Sequence, residues 1–173
     1  MTGEYRAPRL LVPSDEVETF LCRSTAQTNW LRQHALQSTS TGTTKVFVVT
    51  PIAGDRVVAY YAWCMAQIDI DAAPSRLRKG GGRYPQPVAL LARLGVDLEH
   101  EGLGIGAGLL ADAITRLLSL SEDIGCRGLL IHAEGADARD FYLHLIPELQ
   151  PSPTDELHLV VLMKDARRTL LGR

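Results

Sequence analysis

The chain has 173 residues, 46% hydrophobic and 22% charged, with a formal net charge of −2. That describes one domain with a core of its own, spanning residues 1–173, and excludes collagen-like, low-complexity and disulfide-framework proteins. Cys22, Cys64 and Cys126 are scattered with no CxxC, no apolar run approaches ~18 residues, and MTGEYRAPRL lacks a signal peptide's apolar centre, so a cytoplasmic protein without a membrane span is expected.

In chain order, Ser14 ahead of Val17, Glu18, Thr19, Phe20 and Leu21 predicts a short capped helix. A second helix over 26–36 puts Trp30 and Leu31 on one face, and the Ser/Thr/Gly run 38–44 predicts a loop. Residues 45–50 (KVFVVT) and 56–66 (RVVAYYAWCMA) read as strands, joined by a tight hairpin at Gly54 and Asp55. Residues 74–87 hold Gly80, Gly81 and Gly82 among basic residues and predict a mobile connection. Residues 88–96 (VALLARLGV) read as a buried strand. From residue 107 the period becomes helical: Leu110, Ala113, Ile114, Leu117 and Leu118 form one stripe, ending near Gly125. A strand over 128–133, a helix over 137–145 stopped by Pro147, a strand over 157–163 and a basic tail over 164–171 complete a mixed α/β pattern.

Charge is unevenly spread. No acidic residue lies between Asp71 and Asp97, while that gap carries Arg76, Arg78, Lys79, Arg83 and Arg93. A local basic patch is a candidate anion-binding face; a solvated loop is the plain alternative.

The richest segment is 96–110, VDLEHEGLGIGAGLL, where a strand meets a loop holding Gly102, Gly104, Gly106 and Gly108 at the start of the strongest helix. Glycines let the backbone approach a ligand, and a helix N-terminus offers unpaired N–H donors and a positive dipole end, so the pair forms a phosphate cradle. It is not a P-loop, because no GK[ST] follows. It fits a dinucleotide fingerprint poorly, since the preceding strand is the third of the chain rather than the first. A glycine-rich helix start without a ligand is the remaining alternative.

LARLGVD (91–97) followed by EGLGIGAGLL (101–110) resembles motif A of the GNAT N-acetyltransferases. NWLRQHAL, VFVV with RVVAYYA, ARDFY and PSPTDELHLVVLMKD extend the likeness over residues 15–170, to the TacT-like toxins of type II toxin–antitoxin systems. The resemblance implies an α/β GNAT fold, a mostly antiparallel mixed sheet splayed at the acetyl-CoA site and flanked by helices. It implies transfer of acetyl from acetyl-CoA to the α-amine of aminoacyl-tRNA, which blocks translation. It also implies a ribbon-helix-helix antitoxin as partner, and a homodimer.

The resemblance makes Tyr142 the acid that protonates the departing CoA thiolate. It gives Leu94, Gly95, Val96 and, more weakly, Ala133 main-chain roles toward pantetheine and the thioester. It assigns Glu101, Gly102, Leu103, Gly104, Ile105 and Gly106 to the pyrophosphate loop. Glu101 departs from the family's Gln or Arg there: at ~5 Å from a phosphate it would repel by about 3 kcal/mol at an effective dielectric of ~20. The segment HLIPELQ after Tyr142 departs as well. Arg76, Arg78, Lys79, Arg83 and Arg93, with Arg32 as a further candidate, become expected tRNA phosphate contacts. No general base stands out, which suits an α-amine: with a pKa near ~8, about a tenth is already neutral at pH 7. Two alternatives stay open, a GNAT enzyme acting on another amine and a catalytically dead GNAT-fold module. No metal site is expected.

Overall fold

A computed structural model describes residues 3–171; the ends of the expected 1–173 domain lie outside the described residues. The chain divides into two compact units, one running through Cys64 with Arg93–Asp112, the other Met65–Ala92 with everything from Ala113 onward.

The first unit holds β1 (Arg9–Leu10), α1 (Thr25–Gln33), α2 (Ala35–Thr41) and β2 (Lys45–Val49), with the first part of β3 (Ala59–Ile68). β2 pairs antiparallel with β1 (Arg9↔Val48) and with β3 (Lys45↔Trp63 to Val49↔Ala59). β-branched and aromatic residues fill both faces. Val46, Val48, Tyr60 and Ala62 join Phe20, Leu31 and Cys22 in one cluster. Phe47 and Tyr61 stack with centroids 5.1 Å apart, and Trp63 meets both edge-on.

Three expectations for this unit are corrected. Residues 14–21 form turns rather than a helix. The Glu16 N–H donates to the Asp55 carbonyl, and the Glu16 carbonyl accepts from Val57, both at 2.9 Å, so its backbone is spent on a bridge. The helix over 26–36 is two helices broken at His34, and the second runs on through the expected loop to Gly42 at φ 80. The Thr39 hydroxyl accepts from the Val46 N–H at 3.1 Å, fastening that helix to β2. The tight hairpin is instead a connection over 50–58, in which the Arg6 guanidinium donates to the Ile52 and Gly54 carbonyls.

Asp15 is buried, and Arg9 grips both its oxygens at 2.7 and 2.9 Å. Burial alone would raise its pKa, but Arg9 and the Val12 N–H outweigh that and hold the carboxyl below its ordinary value. A lowered folded-state pKa stabilises above the unfolded value, near ~3.9, and that stabilisation is lost as pH falls through the folded value. Urea midpoints measured from pH 7 down to about pH 2 should therefore fall less steeply below about pH 4 in Asp15→Asn than in the wild type.

The second unit holds the rest of β3, α3 (Ser75–Arg78), most of β4 (Gln86–Val96), the later turns of α4 (Ile105–Leu120), β5 (Gly128–His132), α5 (Ala136–Leu145), β6 (Gln150–Ser152), β7 (Asp155–Leu162) and α6 (Met163–Leu171). β4 and β5 pair parallel from Val88↔Gly128 to Leu91↔Ile131, and β4 continues to Val96. β5–β7 and β6–β7 are antiparallel. Ile68, Ala73, Leu77, Val88, Leu130 and Val160 form its core cluster. Gly128 is obligatory here, since a Cβ would stand 2.3 Å from the Val161 carbonyl oxygen. The predicted stripe of α4 is buried throughout. The expected basic tail is α6, whereas α3 and β6 were not expected. No helix among the described residues is long and apolar enough to cross a membrane.

Candidate active site

In the first unit, β4 ends at Val96, a 3-10 turn covers Leu98–His100, and α4 starts at Ile105. Gly102 and Gly104 stand at φ 76 and 80, which side-chain-bearing residues reach only at a cost of about 1–2 kcal/mol. Gly108 is the first α4 residue whose N–H meets the Gly104 carbonyl, at 3.0 Å. The N–H groups of Ile105, Gly106 and Ala107 precede it and by helix geometry lack an intrahelical acceptor. No acidic residue occupies the first turn of α4 to neutralise its dipole. Leu103 is exposed at the tip, while Ile105 anchors the turn in the core. These are the features of an anion cradle.

Asp97 holds the strand end in place. Its buried carboxylate accepts from the Leu21 and Glu99 N–H groups at 3.0 Å, and Arg56 lies 3.5 Å away. Gly95 is packed so tightly that a Cβ would lie 3.3 Å from Cys22 Sγ and Tyr60. Leu94 and Val96 beside it are half-buried. Glu101 is engaged by Arg23, which donates at 2.8 and 3.0 Å to its two oxygens, so the carboxylate carries its own counter-ion. Neither Asp97 nor Arg23 was singled out from sequence. The Leu21 contact of Asp97 and the Glu101 contact of Arg23 span 76 and 78 residues, beyond any local window.

In the second unit, Tyr142 sits on α5 and is buried. Burial, followed by the negative charge of Glu134, pushes its phenol well above its ordinary value, so the proton stays on. Among the described residues no group takes the Tyr142 hydroxyl as a hydrogen-bond partner, whereas Tyr60 and Tyr61 both donate at 2.7 Å. Phe141 meets the Tyr142 ring edge-on and is exposed. The Ala133 N–H is committed to the Leu157 carbonyl at 2.8 Å, leaving only its carbonyl for a ligand. His132 stacks on His158 with centroids 3.9 Å apart, and burial together with that neighbour lowers its pKa.

The basic residues separate into two kinds. Arg76 pairs with buried Asp165 at 2.7 Å. Arg93 donates to Gln27 Oε1 at 3.0 Å and lies over the Trp30 ring, 4.9 Å from its centroid. Arg32 donates to the Phe20 carbonyl at 2.9 Å. Arg78, Lys79 and Arg83 are exposed, and among the described residues none of them is in an ion pair. Asp97, Glu99 and His100 bring ligand-type atoms together, but Arg56 and Tyr5 already occupy them.

The chain is 40% identical over 172 residues to the tRNA-acetylating toxin of Mycobacterium tuberculosis, covering 99% of both chains. It belongs to the tRNA-acetylating toxins. It is also 25% identical to the probable toxin TacT of Sinorhizobium fredii, over 99% of this chain and 100% of that one. No family model matches. Among solved structures it resembles AtaT complexed with acetyl-methionyl-tRNA, with TM-score 0.87 and 23% identity, covering 98% and 100% of the two chains. A tyrosine-to-phenylalanine variant of AtaT, bound to the C-terminus of the antitoxin AtaR and acetyl-CoA, gives TM-score 0.82 at 21% identity, covering 98% and 99%. The GNAT fold expected of a tRNA-acetylating toxin is thereby borne out.

Proposed function

We propose that this tRNA-acetylating toxin moves acetyl from acetyl-CoA to the α-amine of aminoacyl-tRNA and so halts translation. The observation that carries this reading is the 40% identity to a tRNA-acetylating toxin across 99% of both chains. Features within each unit support it. The N–H groups after Gly102 and Gly104, at the uncompensated start of α4, suit the CoA pyrophosphate. In the first unit the backbone of Leu94, Gly95 and Val96 suits the pantetheine arm, and in the second the Ala133 carbonyl is the main-chain group left for a ligand. The Glu101 charge, already paired with Arg23, repels the phosphates less than a bare carboxylate.

The neutral amine attacks the thioester carbonyl, the C–S bond breaks, and the sulfur leaves as a thiolate. Tyr142 donates its phenol proton to that sulfur, the amine's surplus proton passes to water, and water returns a proton to the Tyr142 phenolate. A thiolate shut away from water is itself more basic than the ordinary ~8.5, which brings it closer to a buried phenol. We further assign Arg78, Lys79 and Arg83 to tRNA phosphates; Arg76, paired with Asp165, and Arg93, held by Gln27 and Trp30, are further candidates. A cytoplasmic location, a ribbon-helix-helix antitoxin and a homodimer complete the proposal.

The test is transfer of label from acetyl-CoA to a pool of charged tRNA. Label on the amino-acid end, absent with deacylated tRNA, supports the reading; no label with charged tRNA and folded protein rejects it. For the cradle, Gly104→Val is expected to weaken acetyl-CoA binding by calorimetry about tenfold or more, through backbone strain and misdirected donors. Gly125→Ala, where an added Cβ meets nothing within 4 Å, should bind as the wild type does.

A further inference from the structure

The basic loop over 79–85 is expected from sequence to be mobile, yet it is built around a buried amide. Gln86 is 5% exposed, and its Nε2 donates to the Gly81 and Tyr84 carbonyls at 2.6 and 2.7 Å. A Cβ on Gly81 would lie 2.5 Å from Gln86 Oε1, so glycine is what lets the chain wrap that side chain. Gly80 and Gly82 turn the chain on either side at φ 74 and 76. From the α3 end, Arg127 Nη2 donates to the Leu77 and Lys79 carbonyls at 2.8 and 3.0 Å. Both ends of the loop are thus tied by side-chain donors to its carbonyls.

What the loop holds outward is Tyr84, 78% exposed. The other four of the chain's five tyrosines are buried or half-buried, so Tyr84 stands apart. No packing requires an aromatic ring there, and Arg78, Lys79 and Arg83 surround it in sequence without an acidic residue. A rigidly presented ring among unpaired cations is the chemistry that binds single-stranded nucleic acid: bases stack on the ring and phosphates meet the cations. We infer that Tyr84 stacks on an unpaired base of the tRNA while Lys79 and Arg83 contact neighbouring phosphates, with Gln86 as the positioning residue that presents the ring. This inference rests on the tRNA reading above.

The experiment measures binding of deacylated tRNA, and of a fully base-paired RNA duplex, at several salt concentrations. Tyr84→Ala is expected to weaken tRNA binding about five- to a hundredfold with the salt slope unchanged, since stacking releases no counterions. Tyr84→Phe should restore binding. Arg83→Ala should lower the salt slope by about one. The duplex should be indifferent to Tyr84. Gln86→Leu, which keeps bulk and removes the donor, should reproduce part of the Tyr84→Ala loss. Equal tRNA binding by Tyr84→Ala and wild type, an equal loss on the duplex, or failure of phenylalanine to rescue overturns the inference while leaving the tRNA reading intact. A wild type that binds no tRNA overturns both.

Discussion

Replacing Tyr142 by phenylalanine is expected to cut acetyl transfer to charged tRNA by about a hundred- to ten-thousandfold, the range for loss of a positioned acid. The substitution removes one oxygen from a buried ring whose hydroxyl has no protein partner among the described residues. Packing and thermal stability should therefore stay near the wild type, and acetyl-CoA should still bind. The loss belongs in kcat, because the proton is needed only as the C–S bond breaks. The pH profile gives a second readout. Burial and the Glu134 charge hold the phenol protonated far above neutrality, so Tyr142 contributes no falling limb through pH 8 or 9. The wild-type rate at low charged-tRNA concentration should climb with pH as the amine, near ~8, loses its proton. Full activity in Tyr142→Phe would remove it from the chemistry and point to water as the proton source.

Arg76→Ala should be the most damaging change in the basic segment, for a reason unrelated to RNA. Asp165 keeps 4% of its side-chain surface exposed, and Arg76 grips it at 2.7 Å, with Arg168 next at 3.8 Å. Removing one partner of a buried ion pair leaves a stranded charge and costs about 3–5 kcal/mol, with the lower end expected here because Arg76 itself is half in water. For a chain of this length that is a fall of roughly 6–12 °C in Tm. The double variant Arg76→Met with Asp165→Leu should recover most of it, since both charges leave together. Arg83→Ala should leave Tm unchanged. A tRNA-binding defect in Arg76→Ala that disappears in the double variant would mark Arg76 as a support of the surface. A defect that survives in the stable double variant would make it a contact.

Local pattern made much of this legible. The α4 stripe and the β5 and β7 runs follow from side-chain periodicity, which directly reflects burial. The Gly102 and Gly104 turn was legible too, because glycine spacing ahead of a helix has few other uses. What failed was decided by distant partners. Ser14 carries a helix-start signal, but the Glu16 backbone finds Asp55 and Val57 instead. Arg76 and Arg93 looked alike in a charge count, yet one meets Asp165, 89 residues on, and the other Gln27, 66 residues back. Tyr142 is a candidate only through resemblance; periodicity alone makes it an ordinary amphipathic residue. Gln86 went unnoticed because a lone glutamine between prolines carries no signal until the carbonyls it serves are folded around it.

On the proposed reading, the Glu101–Arg23 pair would make affinity at the glycine loop a contest between two anions for one cation. An incoming pyrophosphate must outbid a carboxylate already in contact, so the net gain from Arg23 is a difference of attractions. Added salt weakens both sides of that difference, which damps the sensitivity an unoccupied arginine would show. On that reading, Glu101→Gln would remove the competing carboxylate and should tighten acetyl-CoA binding. One carboxylate would thus, on that reading, tune how tightly the acetyl donor is held without touching the glycines that shape the turn.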